Sequence, residues 1–345
     1  MEEISVIGID LAKNVFQLAA ASAAGKVVWR KRLKRSAFMK FMDQKAPRCL
    51  IGMEACGGAH HWARWLLAHG FRVKLMAPRK VKSYRQGVHK NDDRDAGACA
   101  EAATRESVTP VRVKSEKSQA MQALVRIRTR RLRQMVQTSN QLRGLLNEFG
   151  IIVPRGRTRM LDAIARLKEE KALPADIAGF VEGMCQELME QARSVKQATE
   201  ELTARIKDEE SCVRLMTVPN LGPINAASLS VALEIPSEFA SARAFATFLC
   251  LVPRQSKSAD KETMLGVGRQ TANETRRHLV LAAQSLFIRL ARMKELPNDR
   301  FLLWAHALLQ RKKRNVAAVA VAAKLARIAW AVTAKEQPYR PRLAR

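Results

Sequence analysis

Apolar residues change their period partway along the chain. Up to about residue 110 they come in short runs. Ile4, Val6, Ile7 and Ile9 open the first, "ISVIGID", and "VFQLAAA", "KVVWRKRL", "CLIGMEA" and "RVKLMAP" follow, the last stopped by Pro78. Runs this short, rich in β-branched residues, predict five strands. Between them "SAFMKFMDQ", "AHHWARWLLAHG" closed by Gly70, and "DDRDAGACAEAAT" predict helices. Strands alternating with helices in this way imply a mixed α/β sheet.

Beyond Ser115 the period lengthens to three or four. Met121, Leu124, Val125, Leu132, Met135, Val136, Leu142, Leu145 and Leu146 predict one long helix over residues 115–150. A connector around a short helix spans Pro154 to Pro174. A second long helical pattern over 175–212 carries Phe180, Met184, Leu188, Ala192, Val195, Ala198, Leu202 and Ile206. Its alternating acids and bases follow coiled-coil grammar, so it reads as an arm for dimerisation or as a helix that packs on its neighbour. From 213 the chain is helical and rich in small residues. It opens with "LMTVPNLGPINAASLSVAL", where Pro219, Gly222 and Pro223 break two helices. Such a turn can offer amides to a phosphate, or simply join helices. The expected organisation is an α/β domain over 1–150 closed by the long helix, a helical coiled-coil arm over 151–212, and a small, mainly helical carboxyl-terminal domain over 213–345.

Charge narrows the partners. Against 32 Asp and Glu stand 61 Lys and Arg, a formal net charge of +29. That excess repels itself unless a polyanion neutralises it, and a phosphate backbone is the usual one. Basic residues cluster at Arg79, Lys80 and Lys82, at Arg126, Arg128, Arg130, Arg131 and Arg133, and at Arg311, Lys312, Lys313 and Arg314. These are candidate nucleic-acid contacts, the bland alternative being solvated helix faces. No basic amphipathic helix with an aromatic edge stands apart, so no membrane partner is expected. The most apolar window, "NVAAVAVAAKLARIAWAV", is interrupted by Lys324 and Arg327, which argues against a spanning helix. Met1-Glu2-Glu3 leads straight into a strand, so no signal peptide is expected. Six scattered cysteines without a C-x-x-C pair read as reduced thiols of a cytoplasmic protein.

Four carboxylates suggest chemistry. Asp10 and Glu54 each sit where a buried strand ends, and Asp92 and Asp95, three apart on a helix, share a face. Singly, each has an ordinary reading: a strand end for Asp10, a cap on the following helix for Glu54, and a helix cap for Asp92. Converging at one sheet edge they would repel one another unless hard cations sat among them, and oxygen donors suit Mg²⁺ or Mn²⁺. Two such ions about 4 Å apart activate a nucleophile and stabilise a leaving oxygen in phosphoryl transfer. Cys56, His60 and His61 lack the second ligand pair that a zinc site needs.

These strings, in order, carry a resemblance. "GIDLAK", "MEACGGAHHWA" and "KNDDRDA" resemble the amino-terminal RuvC-like domain of the DEDD transposases of insertion sequences, a group that includes the Piv-type invertases. The middle string is closest to the subgroup whose elements carry subterminal inverted repeats. "VPNLGPINAASL" and "FLCLVPRQSKSADKETMLG" resemble that family's P-G-I-G-P-x-T-A and G-L-x-P-R-Q-x-S-S-G-x-K stretches. The resemblance implies a ribonuclease-H-like first domain, in which Asp10, Glu54, Asp92 and Asp95 form a metal-binding tetrad. It also implies a nucleophilic serine in the carboxyl-terminal domain that forms a phosphoserine link to DNA, and guidance by an element-encoded bridge RNA pairing with donor and target DNA. By motif the serine is Ser258, with Ser256 as rival. Lys257 and Ala259 replace the family's serine and glycine, and Cys250 stands where glycine is usual.

The function expected is an Mg-dependent, RNA-guided recombinase that moves its own element as a homodimer or homotetramer, cytoplasmic and nucleoid-associated in a bacterium. A junction-resolving nuclease that uses water in place of serine is the alternative, and an RNA-binding protein with an inactive tetrad is a third reading. With no histidine beside either serine, activation would have to come from the carboxylate site.

Overall fold

The computed structural model describes residues 3–85, 92–258, 261–268 and 274–343, with side chains described except at 92–94, 257–258 and 261–262. The chain divides into two compact units, Met1–Ser115 and Glu116–Arg345.

The first unit is built on strands β1 (Ile4–Leu11), β2 (Val15–Ser22) and β3 (Val27–Lys34), helix α1 (Arg35–Gln44), strand β4 (Leu50–Glu54), helix α2 (Ala59–Ala68) and strand β5 (Arg72–Met76). Helices α3 (Pro78–Val81) and α4 (Asp92–Thr104) and strand β6 (Pro110–Val111) complete it. Its six-stranded sheet has the order β3-β2-β1-β4-β5-β6. β1 pairs antiparallel with β2 and parallel with β4, and β4 is parallel to β5. The five strands and three of the helices lie where the apolar runs predict them; α3 and the two-residue β6 carry too little pattern to be read.

Alternation along the strands sorts their side chains between two cores. Ile7, Ile9, Ile51 and Met53 face α1 and α2, where Phe16, Phe38 and Trp62 meet edge to face at 4.8–5.1 Å. Val6 and the in-register glycines Gly8 and Gly52 belong to the opposite face, against α4. A Cβ on Gly8 would collide with the Ala96 carbonyl and the Ala100 amide, and one on Gly52 with the Cys99 carbonyl and, at 2.6 Å, the Ala103 Cβ. These two glycines and the alanines of α4 let helix and sheet touch backbone to backbone.

The second unit starts with α5 (Glu116–Glu148), α6 (Arg157–Glu169) and α7 (Ala175–Ile206). α8 (Glu210–Met216), α9 (Pro223–Ala232), α10 (Ala242–Phe248), strands β7 (Pro253–Ser258) and β8 (Lys261–Val267), α11 (Glu274–Ala291), α12 (Arg300–Arg311) and α13 (Arg314–Ala334) follow. The long helix α5 therefore counts with this unit. α5 and α7 run antiparallel. Leu142 and Leu146 near the end of α5 share a core with Ile177 and Val181 at the start of α7, while Met121 and Val125 share another with Leu202 and Ile206. Arg128 Nε donates to Thr199 Oγ1 at 2.9 Å and Arg131 Nη1 to the Ser194 carbonyl at 3.1 Å along the same seam. The apolar stripe of α7 is thus covered within the chain, except at Phe180, which is 69% exposed.

α13 is long and apolar enough by composition to cross a bilayer. Its Ala317, Ala318, Val321, Ala322, Leu325, Ala326 and Ala329 are instead buried in the core of the unit, against α10 and α11. The antiparallel hairpin β7–β8 is the one element of this unit that the sequence reading misses.

Candidate functional site

Two adjacent parallel strands end in acids. β1 and β4 pair residue for residue up to Ile9 and Met53, so the next residues, Asp10 and Glu54, emerge side by side at their carboxyl ends. In an open α/β sheet this is the edge where ligands bind. Both fall on the face of Gly8 and Gly52, toward α4. There α4 places Asp95 one turn before Cys99, whose carbonyl lies over Gly52. Asp95 is only 7% exposed.

Burial and charge at this edge are felt by its thiols. Burial pushes the Cys99 thiol well above the ordinary range, and the charges of Glu54, Asp10 and Asp95 push it further. Burial also raises the Cys56 thiol, with Asp10 and Glu54 adding to the rise. Three of the four expected acids thus act on one thiol. The fourth, Asp92, is the first residue of α4, and its side chain lies outside the described residues.

A cation is already present. Arg85, just past the short helical turn after α3, reaches Glu54 Oε1 with Nη2 at 3.0 Å and Asp95 Oδ1 with Nε at 3.0 Å. The first contact is a hydrogen bond; the second is an ion pair without hydrogen-bond angles. Among the described residues no three Asp, Glu, His or Cys side chains stand close enough to hold one ion. The donor set is nonetheless all carboxylate oxygen and is arranged so that a positive group sits between two of its members, which fits a hard divalent cation. The sequence reading misses Arg85. The basic run "PRKVKSYR" signals charge, but nothing in it singles out the arginine that folds back.

Cys56, His60 and His61 do not converge. His60 Nδ1 accepts the Lys114 amide at 3.3 Å, and His61 packs edge to face on Trp62.

The serines lie in the second unit. Ser256 pairs with Thr263 and Ser258 with Lys261 across the β7–β8 hairpin. Ser256 is exposed; the side chain of Ser258 lies outside the described residues. Just before the hairpin, Cys250 adopts φ +53° as α10 closes, with Cys250 N donating to Thr247 O and Leu251 N to Ala246 O. A left-handed residue at a helix end favours glycine, and a side chain there costs about 1 kcal/mol.

Of the basic candidates, Arg79, Lys80, Lys82, Arg126, Arg130, Arg133, Arg311, Lys312, Lys313 and Arg314 are exposed. Arg128 and Arg131 are partly buried and bind α7, so part of their hydrogen-bonding capacity is internal.

A cavity of about 1150 Å³ opens in the second unit at the turn between α8 and α9, with Arg128, Asn220, Asn225, His278, Asp299 and Tyr339 among its walls. Asn220, at φ +65°, ties the turn to α11 by donating Nδ2 to the Ala282 carbonyl at 2.6 Å. His278 is buried, with Nδ1 2.7 Å from Ser228 Oγ. Burial, then the charges of Arg128, Arg277 and Arg133, lower its pKa to about 4. Helical spacing with Thr275, Leu279 and Ala282 marks His278 as a core position, a signal the sequence reading passes over.

Comparison with known proteins agrees with the resemblance. Residues 7–151 match a family model of DEDD type described as a transposase, and residues 212–296 match one described as "Transposase IS116/IS110/IS902 family". The chain is 34% identical over 342 residues to the transposase for insertion sequence element IS1111A of Coxiella burnetii, covering 99% of this chain and 92% of that protein. It is 35% identical over 333 residues to the transposase for IS1328 of Yersinia enterocolitica, covering 96% and 98%.

Proposed function

The chain belongs to the IS116/IS110/IS902 family of transposases, and from that premise we propose that it cuts and rejoins DNA through a phosphoserine link, assisted by divalent ions held on Asp10, Glu54, Asp92 and Asp95. The observation that carries this reading is the placement of Asp10 and Glu54 at adjacent strand ends with Asp95 on the helix above. The domain organisation expected from the sequence, with a RuvC-like catalytic part, a helical arm and a transposase part, belongs to the same proposal.

In the reaction, Ser258 Oγ bonds to a backbone phosphorus while the bond from phosphorus to the leaving sugar oxygen breaks. The serine gives up its proton and the sugar oxygen takes one up. Attack by a sugar hydroxyl of another strand reverses these bond changes and frees the serine, so the energy of the phosphodiester is kept. When bound, Mg²⁺ or Mn²⁺ would supply charge stabilisation at the transferring phosphate, the term that dominates such transfers. The carboxylates hold and orient that charge. Arg85 holds Glu54 and Asp95 in place and limits their mutual repulsion. The exposed arginines of α5 grip phosphates without reading bases. Sequence choice falls to an element-encoded bridge RNA that pairs with donor and target DNA. A homodimer or homotetramer would bring two cutting centres to each exchange, in the cytoplasm at the nucleoid. Support for these finer points is the motif resemblance and the +29 charge.

The test uses protein, RNA and a suicide DNA substrate. A covalent adduct should form with wild type and with Ser256→Ala and disappear with Ser258→Ala. An adduct surviving Ser258→Ala rejects this nucleophile, and cleavage that survives loss of both serines favours the water-using nuclease.

A further inference from the structure

The second unit holds a cluster of cations that the catalytic reading does not use. A cleft of about 640 Å³ lies among α12, α13 and residues 337–342, within the size range of ligand sites. Arg300, Lys324, Arg327, Lys335, Arg340 and Arg342 line it. None of the six makes an ion pair among the described residues. The single acid in the wall, Asp299, is 4% exposed and fully engaged. It accepts the Phe301 amide at 2.8 Å, capping α12, and the Tyr339 hydroxyl at 2.8 and 3.0 Å.

The cluster is held together by backbone structure. Arg300 N donates to the Arg342 carbonyl at 2.8 Å, and Tyr339 N to Thr217 Oγ1 at 2.8 Å. These bonds fold the chain after α13 back onto the start of α12, adding Arg340 and Arg342 to the wall. Lys324 and Arg327 on α13, and Lys335 at its C-cap, line the cleft while other positions of the helix fill the core. Burial lowers the Lys324 pKa first, and Arg327, Arg342 and Arg300 lower it further. Among the described residues the six cations therefore repel one another with Asp299 as the one acid in the wall.

We propose that this cleft binds the phosphodiester backbone of a nucleic acid. Lys324 to Lys335 spans about 16 Å of helix at ~1.5 Å per residue. That length covers roughly five phosphates of one strand at ~3.4 Å of axial rise each, so the stripe fits a run of backbone better than a lone phosphate. The site shares no residue with the carboxylates or the serines. Its test is equilibrium binding, so its failure leaves the proposed chemistry untouched.

The test uses the full chain, a labelled 30-base-pair DNA of arbitrary sequence, and a labelled 30-nucleotide RNA, with anisotropy followed over a salt series. Arg300→Gln/Arg327→Gln/Arg342→Gln is compared with Arg193→Gln/Lys196→Gln/Arg205→Gln, which removes the same charge from exposed positions of α7. The cleft variant should lose tenfold or more in affinity for at least one of the two nucleic acids. Its log–log salt slope should be shallower by about 0.9 per lost contact on DNA, or about 0.7 on single-stranded RNA. Which nucleic acid suffers identifies the strand that occupies the cleft. Arg→Lys at the same three positions should keep most of the affinity, and circular dichroism should show the fold intact. Equal losses in the cleft and α7 variants on both nucleic acids would overturn the proposal.

Discussion

The two units gather like charges in opposite ways. The sheet edge of the first carries Asp10, Glu54 and Asp95, and the chain supplies a counter-ion: Arg85 pairs Glu54 and Asp95. In the second, six cations line one cleft, and its single acid, Asp299, is held in the wall by the Phe301 amide and the Tyr339 hydroxyl. Each cluster shifts a titratable group beside it. The acids add to the rise of the Cys99 thiol, and Arg327, Arg342 and Arg300 add to the fall of Lys324. A carboxylate cluster balanced internally keeps its shape until an ion is exchanged in. A cation cluster with one acid in its wall and no ion pair among the described residues is the place where an external polyanion would relieve the most repulsion. In the proposed reading the first is a place for chemistry, the second a place for grip.

The largest effect expected is on the acids. Asp10→Ala or Glu54→Ala should lower strand transfer at least 10³-fold, about 4 kcal/mol of transition-state stabilisation, with nucleic-acid affinity nearly unchanged. A comparable loss of binding would erase the division between chemistry and grip. Next comes a pH effect. His278 is neutral in the fold, with a pKa of about 4 against 6.5 when unfolded. The unfolded chain therefore takes up the proton first as pH falls, and stability present above pH 6.5 is lost between 6.5 and 4, by up to about 3 kcal/mol. Urea unfolding at pH 7 and pH 5 should show this slope in wild type and a flatter one in His278→Gln.

The counter-ion gives a third test. Arg85→Met leaves Glu54 and Asp95 facing each other and should cost about 1–2 kcal/mol in chelator, seen as a lower Tm. Millimolar Mn²⁺ should recover that loss if ion and guanidinium compete for one place. A loss indifferent to Mn²⁺ would make Arg85 a purely structural tie. The smallest effect is expected at Lys324, where Met removes a charge crowded by Arg327, Arg342 and Arg300. The free protein should gain about 0.5 kcal/mol, whereas a loss of stability would mean that the cleft is not self-repelling.

Legibility in the sequence also differed between the regions. In the first unit, runs such as Ile4–Ile9 and the partner "LIGME" carry strand period, length and a terminal acid together, so sheet and candidate acids could be read at once. Nothing in the sequence marks Gly8 and Gly52 as the positions that let α4 come close enough to bring Asp95 to the edge. That depends on β1 and β4 being in register, which no local pattern encodes. Arg85 was missed because a salt bridge across 31 residues leaves no periodic trace. In the second unit the long helices were plain from spacing. In the β7–β8 hairpin, "PRQSKS" and "KETMLGV", the first strand has no apolar side chain after Pro253 and the second leaves Met264 and Leu265 exposed, so no alternation of buried and polar positions announces it. The cleft leaves no local signal because its six cations come from α12, α13 and the chain that follows α13, and no single segment among them is a charge run.

The central claim is that the acids at the sheet edge bind divalent ions, and calorimetric titration of chelator-stripped protein with Mn²⁺ tests it most directly. Wild type should show saturable uptake that Asp10→Asn and Glu54→Gln each abolish or weaken at least tenfold. Uptake absent from wild type, or identical in all three proteins, would contradict the claim.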